Sequence, residues 1–108
     1  MEKENYFNTS FLGDLEKYNW SLIYKKSNYF EEELKKEITK NHYLFNKELT
    51  AIAKDNASDD VLFFYQNTFY LFHLTYTLTN EEEFPQYEIF KSIQELEQYF
   101  SKNYMDLF

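Results

Sequence analysis

Few residues in this chain have the types and spacing that chemistry needs. The two histidines, His42 and His73, and the acid pair Asp59-Asp60 are the set from which a reactive centre can be drawn. Two neutral imidazoles with a carboxylate can hold a divalent metal with open positions. A histidine held by an aspartate can act as a general base. The spacing is neither that of an H-E-x-x-H helix nor of any other local metal motif. Each residue also has a plain structural use. His73 can be a strand residue whose ring nitrogens bond within the core, and His42 a turn residue that caps the preceding helix. Asp59 and Asp60 can form a strand-entry turn whose carboxylates accept backbone amides. None of the six serines stands in a G-x-S-x-G elbow.

Composition excludes more. The 108 residues contain no cysteine, so disulfides, zinc ribbons and thiol nucleophiles are ruled out. A single glycine, Gly13, rules out a Walker loop or a dinucleotide fingerprint. The length fits one α+β domain spanning residues 1–108. There is no run of 18 apolar residues, and the start, Met-Glu-Lys-Glu-Asn, lacks the basic and apolar regions of a signal peptide. A cytoplasmic protein is expected, with no membrane partner and no cofactor.

Aromatic residues number 24, against 18 Leu, Ile and Val. Most of these rings are core. Aromatics on a sheet can stack nucleic-acid bases, but such platforms need basic flanks. Here the charge has the wrong sign. Residues 1–54 carry nine acids and nine lysines, whereas residues 55–108 carry ten acids against Lys91 and Lys102, so the whole net charge of −8 lies in the second half. Backbone phosphates would be repelled, which argues against direct nucleic-acid binding.

The elements that must position these residues follow from periodicity. Asn28 can cap a helix over 29–40, in which Phe30, Leu34 and Ile38 form an apolar stripe while Glu33 and Glu37 lie on a wetter face. Asn41 is placed to end it in the left-handed region. Residues 14–26 carry both signals. Leu15, Tyr18 and Leu22 have helical spacing, and Trp20, Leu22 and Tyr24 alternate as a strand does; the helical reading is preferred. Strands are predicted at 48–54, 60–66, 68–78 and, as an edge, 86–90, with a hairpin break at Gln66-Asn67. Both faces of 68–78 are apolar, so it is central, covered on one side by the C-terminal helix and on the other by the N-terminal helices or a second copy. Ser92-Ile93-Gln94-Glu95 reads as a capping box that starts an amphipathic helix over 93–103. The expected architecture is therefore N-terminal helices, an antiparallel sheet of three or four strands, and a C-terminal helix packed on it.

From about Phe30 to Phe100 the chain resembles a group of small bacterial proteins. The resemblance is carried by Glu33-Leu34-Lys35-Lys36-Glu37, Asn41-His42-Tyr43-Leu44, Asp59-Asp60-Val61-Leu62-Phe63, His73-Leu74-Thr75-Tyr76 and Phe84-Pro85. Where that group has glycine, proline and tryptophan, Asn41, Tyr43 and Tyr76 stand here. The resemblance implies an α+β layout and marks His42, Asp59, Asp60 and His73. Likeness to immunity proteins that neutralise toxins is one of general shape.

The reading favoured by the charge split is a small acidic, non-catalytic protein that binds and neutralises a basic protein, either a toxin or an enzyme acting on nucleic acid. Its expected contacts are Asp55, Asp59, Asp60, Glu81, Glu82, Glu83 and Glu88, with Tyr65, Tyr76 and Tyr87 as anchors. The alternatives are a metal-binding protein or hydrolase using His42 and His73 with Asp59 or Asp60, and a homodimer joined through strand edges.

Overall fold

A computed structural model describes residues 15–23, 29–76 and 85–104. These residues form an α+β structure built on five antiparallel strands in sequence order: β1 (Trp20–Leu22), β2 (Thr50–Asp55), β3 (Asp60–Tyr65), β4 (Thr68–His73) and β5 (Gln86–Phe90). Helix α1 (Tyr29–Glu37) precedes β2, and helix α2 (Ile93–Asn103) follows β5. No helix among the described residues is long and apolar enough to cross a membrane.

The sheet has five strands against the three or four expected, and the strand with no counterpart in the expectation comes from 14–26. Leu15–Tyr18 is a single 3-10 turn, Asn19 takes φ 67°, and the chain then runs extended. Asparagine tolerates this left-handed step where most residues do not. The step ends the helical spacing and leaves the alternation of Trp20 and Leu22 to decide the outcome. Helix α1 is also shorter than 29–40. Its regular part ends at Glu37, followed by a turn in which the His42 amide donates to the Thr39 carbonyl at 3.0 Å. The left-handed residue of this connection is Asn46, not Asn41. Asn28, expected to cap α1, lies outside the described residues.

The turn between β3 and β4 is tight because Gln66 and Asn67 both take positive φ, at 49° and 62°. Two such residues in a row match the right-handed twist of the flanking strands. The register then follows from Tyr65 opposite Thr68 to Asp60 opposite His73. A bulge between Ala51 and Ala53 shifts the pairing of β2 with β3.

Two apolar clusters sit on the two faces of this sheet. On one face Leu62, Phe64, Phe69, Leu71 and Phe90 pack with Trp20 against Leu96 and Phe100 of α2. On the other, Val61, Phe63, Tyr70 and Phe72 pack against Leu34 of α1, Ile38, and Leu44 and Leu49 of the connection to β2. Neighbouring side chains along β4 therefore serve different cores, as a strand covered on both sides requires. The α2 prediction and its boundaries stand: the Ser92 hydroxyl accepts from the Glu95 amide at 3.2 Å, and the Glu95 carboxylate accepts from the Lys91 amide at 2.9 Å. The reciprocal bond thus reaches one residue further back than the usual capping box.

Candidate functional site at the acidic end of the sheet

The pairing register gathers the polar strand ends at one edge of the molecule. β2 ends at Asp55, β3 begins at Asp60, β4 ends at His73 and β5 begins at Gln86; Trp20 lies opposite Asp55, and His73 lies opposite both Asp60 and Gln86. The turn holding Asp59 is at this end. Tyr76 and Pro85, which bracket the connection to β5, belong to it too.

His73 and Asp60 meet there. The His73 Nδ1 lies 2.8 Å from the Asp60 Oδ1, a cross-strand pair in which both side chains are partly buried. Hydrogen bonding to Asp60 raises the pKa of the imidazole, burial opposes this, and the Asp60 and Glu88 charges add to the rise. Glu88 shares the α2-covered face with His73, because it pairs with Leu71 two residues before it. From α2 come Tyr99 and, just past its end, Tyr104. Burial raises both phenols, and the charge of Asp60 raises them further. The arrangement can orient an imidazole and hold a proton on it.

On the α1-covered face the same end is closed by Glu37. This carboxylate is only 4% exposed. It accepts from the Thr75 amide at 2.8 Å, the Thr75 hydroxyl at 3.0 Å and the Tyr76 amide at 2.8 Å. The expectation that Glu37 lies on a wet face is thus overturned. The same three bonds explain why β4 stops at His73 instead of running to residue 78. The amides that would extend the ladder are taken by a side chain, and Tyr76 turns to φ 57°.

The other residues singled out in the sequence are distributed unevenly. Asp55 is buried, not a surface contact. One of its oxygens accepts from the Ala57 amide at 2.9 Å and the other from the Ser58 hydroxyl at 3.0 Å. The strand-entry turn expected for Asp59 and Asp60 is therefore built by Asp55. Asp59 and Glu88 are exposed. Tyr65, Tyr76 and Tyr87 are half-buried and pack on the α1-side cluster, so they are not free anchors. Tyr87 stacks on Phe72 at 4.8 Å, and Tyr76 on Tyr29 at 6.4 Å. Glu81, Glu82 and Glu83 lie outside the described residues.

His42 does not join His73. It belongs with Phe72 and Tyr87, at 6.2 and 5.2 Å, on the face opposite the one His73 occupies. Its Nδ1 accepts from the Leu44 amide at 3.1 Å, so it caps its own turn and not the helix before it. Burial lowers its pKa. Among the described residues, no three His, Asp or Glu side chains are grouped as metal ligands would be.

Sequence reasoning missed Glu37 and, with it, Glu33. The available signal was their spacing of four residues, which puts two carboxyls side by side on a helix where repulsion has to be offset. A groove of about 330 Å³ lies elsewhere, between α1 and residues 45–49. Leu34, Ile38 and Leu49 line it, and at its rim Lys35 and Glu48 are 3.9 Å apart. Comparison with protein-family models, curated proteins and solved structures returned no match.

Proposed function

We propose that the chain is a non-catalytic cytoplasmic protein that binds and neutralises a basic protein, of the kind an immunity protein or an inhibitor of a nucleic-acid enzyme opposes. The observation that supports this reading is the gathering of carboxylates at one end of the sheet: Glu33, Glu37, Asp59, Asp60 and Glu88 all belong to it. Negative charge focused on one pole speeds encounter with a basic surface and disfavours nucleic acid as a direct ligand. Asp59 and Glu88 are the exposed members, and Glu81 to Glu83 fall in the connection that starts and ends there. Buried Asp55 has no part in the contact. Partly buried Tyr76 and Tyr87 act as a floor under it, while Tyr65 sits at the opposite end of β3, across from Thr68.

The Asp60–His73 pair supports a second reading, in which the imidazole acts as a general base for hydrolysis without His42. One experiment separates the two. Immobilised wild-type chain and an Asp59→Lys/Glu88→Lys variant are exposed to a native-host lysate at low and high salt. The first reading expects a basic protein that is held at low salt, released as salt rises and lost in the variant. Capture that ignores both salt and charge reversal overturns it.

A further inference from the structure

The two edges of the sheet differ. β1 is three residues long, with Trp20 buried and Ser21 and Leu22 half-buried. β5 is longer, and β4 is its one strand neighbour among the described residues. Its five residues keep an unbroken register with β4, so no bulge turns this edge away from a further strand. Alternation gives the edge two unlike sides. Gln86 and Glu88, both exposed, stand on the α2-covered face, where Glu88 pairs with Leu71. Ile89 pairs with Tyr70 on the α1-covered face and is 42% exposed. Tyr43, 56% exposed, extends that apolar side. Its ring stacks on His42 at 5.5 Å, and His42 lies 5.2 Å from Tyr87, the neighbour of Ile89 on the same face of β5.

We propose that β5 is a strand-docking edge, whose occupant is an extended segment of the basic protein partner in which basic and apolar residues alternate. The proposal rests on the reading of the chain as a neutraliser of a basic protein and adds how that protein is held. An added strand takes its affinity from main-chain hydrogen bonds along the edge and its specificity from alternate side chains. Its basic residues fall on the α2-covered side, along Glu88 and the row in which Gln86, His73 and Asp60 stand side by side. Its apolar residues fall on the other side and cover Ile89 and Tyr43. A uniformly basic segment would leave those two side chains in water, and a uniformly apolar one would desolvate Glu88 without a counter-charge. A second copy of this chain suits the edge poorly. Two β5 strands paired antiparallel about their midpoint set Glu88 against Glu88, a destabilising pair, and each copy brings a net charge of −8.

The probe is a capped peptide of about six residues in which lysine and valine alternate, long enough to run the length of β5. A second peptide of the same composition groups its lysines at one end and its valines at the other. Binding to the full chain is followed by NMR, through amide shifts and amide exchange over residues 86–90. The alternating peptide should bind saturably and slow exchange in β5 by about tenfold. The grouped peptide should bind about tenfold more weakly and leave that exchange unchanged. Glu88→Lys and Ile89→Lys, both at exposed positions, should each weaken the alternating peptide by about tenfold. Equal binding of the two peptides, no binding of either, unchanged β5 exchange at saturation, or wild-type affinity in both variants would each overturn the docking edge. None of these outcomes touches the underlying reading, which stands or falls on salt-dependent capture of a basic protein. Dimerisation of the wild type that Ile89→Lys abolishes would give the edge to a second copy and overturn the proposal as well.

Discussion

His73 and Asp60 close the last rung of the β3–β4 ladder with their side chains as well as their strands, Nδ1 to Oδ1 at 2.8 Å. The bond couples the charge of the ring to the integrity of that strand end.

Replacing Asp60 by Asn should therefore lower the titration midpoint of His73, as followed by its ring-proton shifts. Because Asp60 raises the imidazole pKa, the stabilisation is fully present below about 6.5 and disappears as pH rises through the higher folded-state value. The ring is about a third exposed, which limits the loss at pH 5–6 to about 1 kcal/mol. An unchanged His73 midpoint in Asp60→Asn would show that the contact carries no charge.

His42 should behave in the opposite sense. Its Nδ1 must be unprotonated to accept from the Leu44 amide, and burial depresses its pKa. The stability it contributes is present above the ordinary histidine value and lost as pH falls through the depressed one. His42→Ala should cost about 1–2 kcal/mol at neutral pH and flatten the acid side of the stability profile, as measured by urea unfolding.

Phe100 is the keystone of the α2-side core. It is fully buried and contacts Trp20, Tyr18, Tyr99 and Tyr104, with ring centroids at 5.1, 5.5, 6.2 and 4.8 Å. Phe100→Ala should cost about 3–5 kcal/mol and lose the near-ultraviolet dichroism of Trp20, while Phe100→Leu should cost markedly less. A Phe100→Ala variant as stable as Phe100→Leu would place the packing energy elsewhere.

The β3–β4 turn can be improved. Gln66 is a poor residue for φ 49°, and neither turn position is glycine. Gln66→Asn combined with Asn67→Gly should raise the unfolding free energy by about 0.5–1 kcal/mol with the register of β3 and β4 unchanged. A decrease would mean that side chains at this turn make contacts outweighing their backbone cost.

Much of this fold was legible because aromatic and β-branched residues dominate 60–73 and because α2 has both a cap and a clean apolar stripe. The 93–103 boundaries came from Ser92 and Glu95, whose local chemistry does not depend on the rest of the chain. The residues that escaped are those governed by tertiary partners. Asn19 could be placed in the left-handed region only once β1 had a neighbour in β2. The end of β4 depended on a carboxylate 38 residues earlier in the chain, which no window around Thr75 contains. At the site, Asp60 and His73 were marked by residue type alone, and the register joined them. His42 was marked in the same way, but its turn packs on Phe72, whose side chain leaves β4 on the face opposite that of His73. Asp55 had the right charge but the wrong exposure, because an acid at the exit of a strand is also the residue best able to cap the following turn.

The strand order also dictates how the chain can assemble in time. β3 and β4 are separated by two residues and β2 and β3 by four, so these pairings close short loops at little entropic cost. β1 must instead wait for residues 23–49 to fold back, because its neighbour β2 lies beyond α1 and its long connection. The folding nucleus is therefore expected in the β2–β3–β4 hairpins, with kinetic φ-values high at Leu62 and Leu71 and near zero at Leu22. High values at Leu22 would reverse that order. In this scheme β1 is the last strand to arrive, and it seals a core whose sheet is already formed.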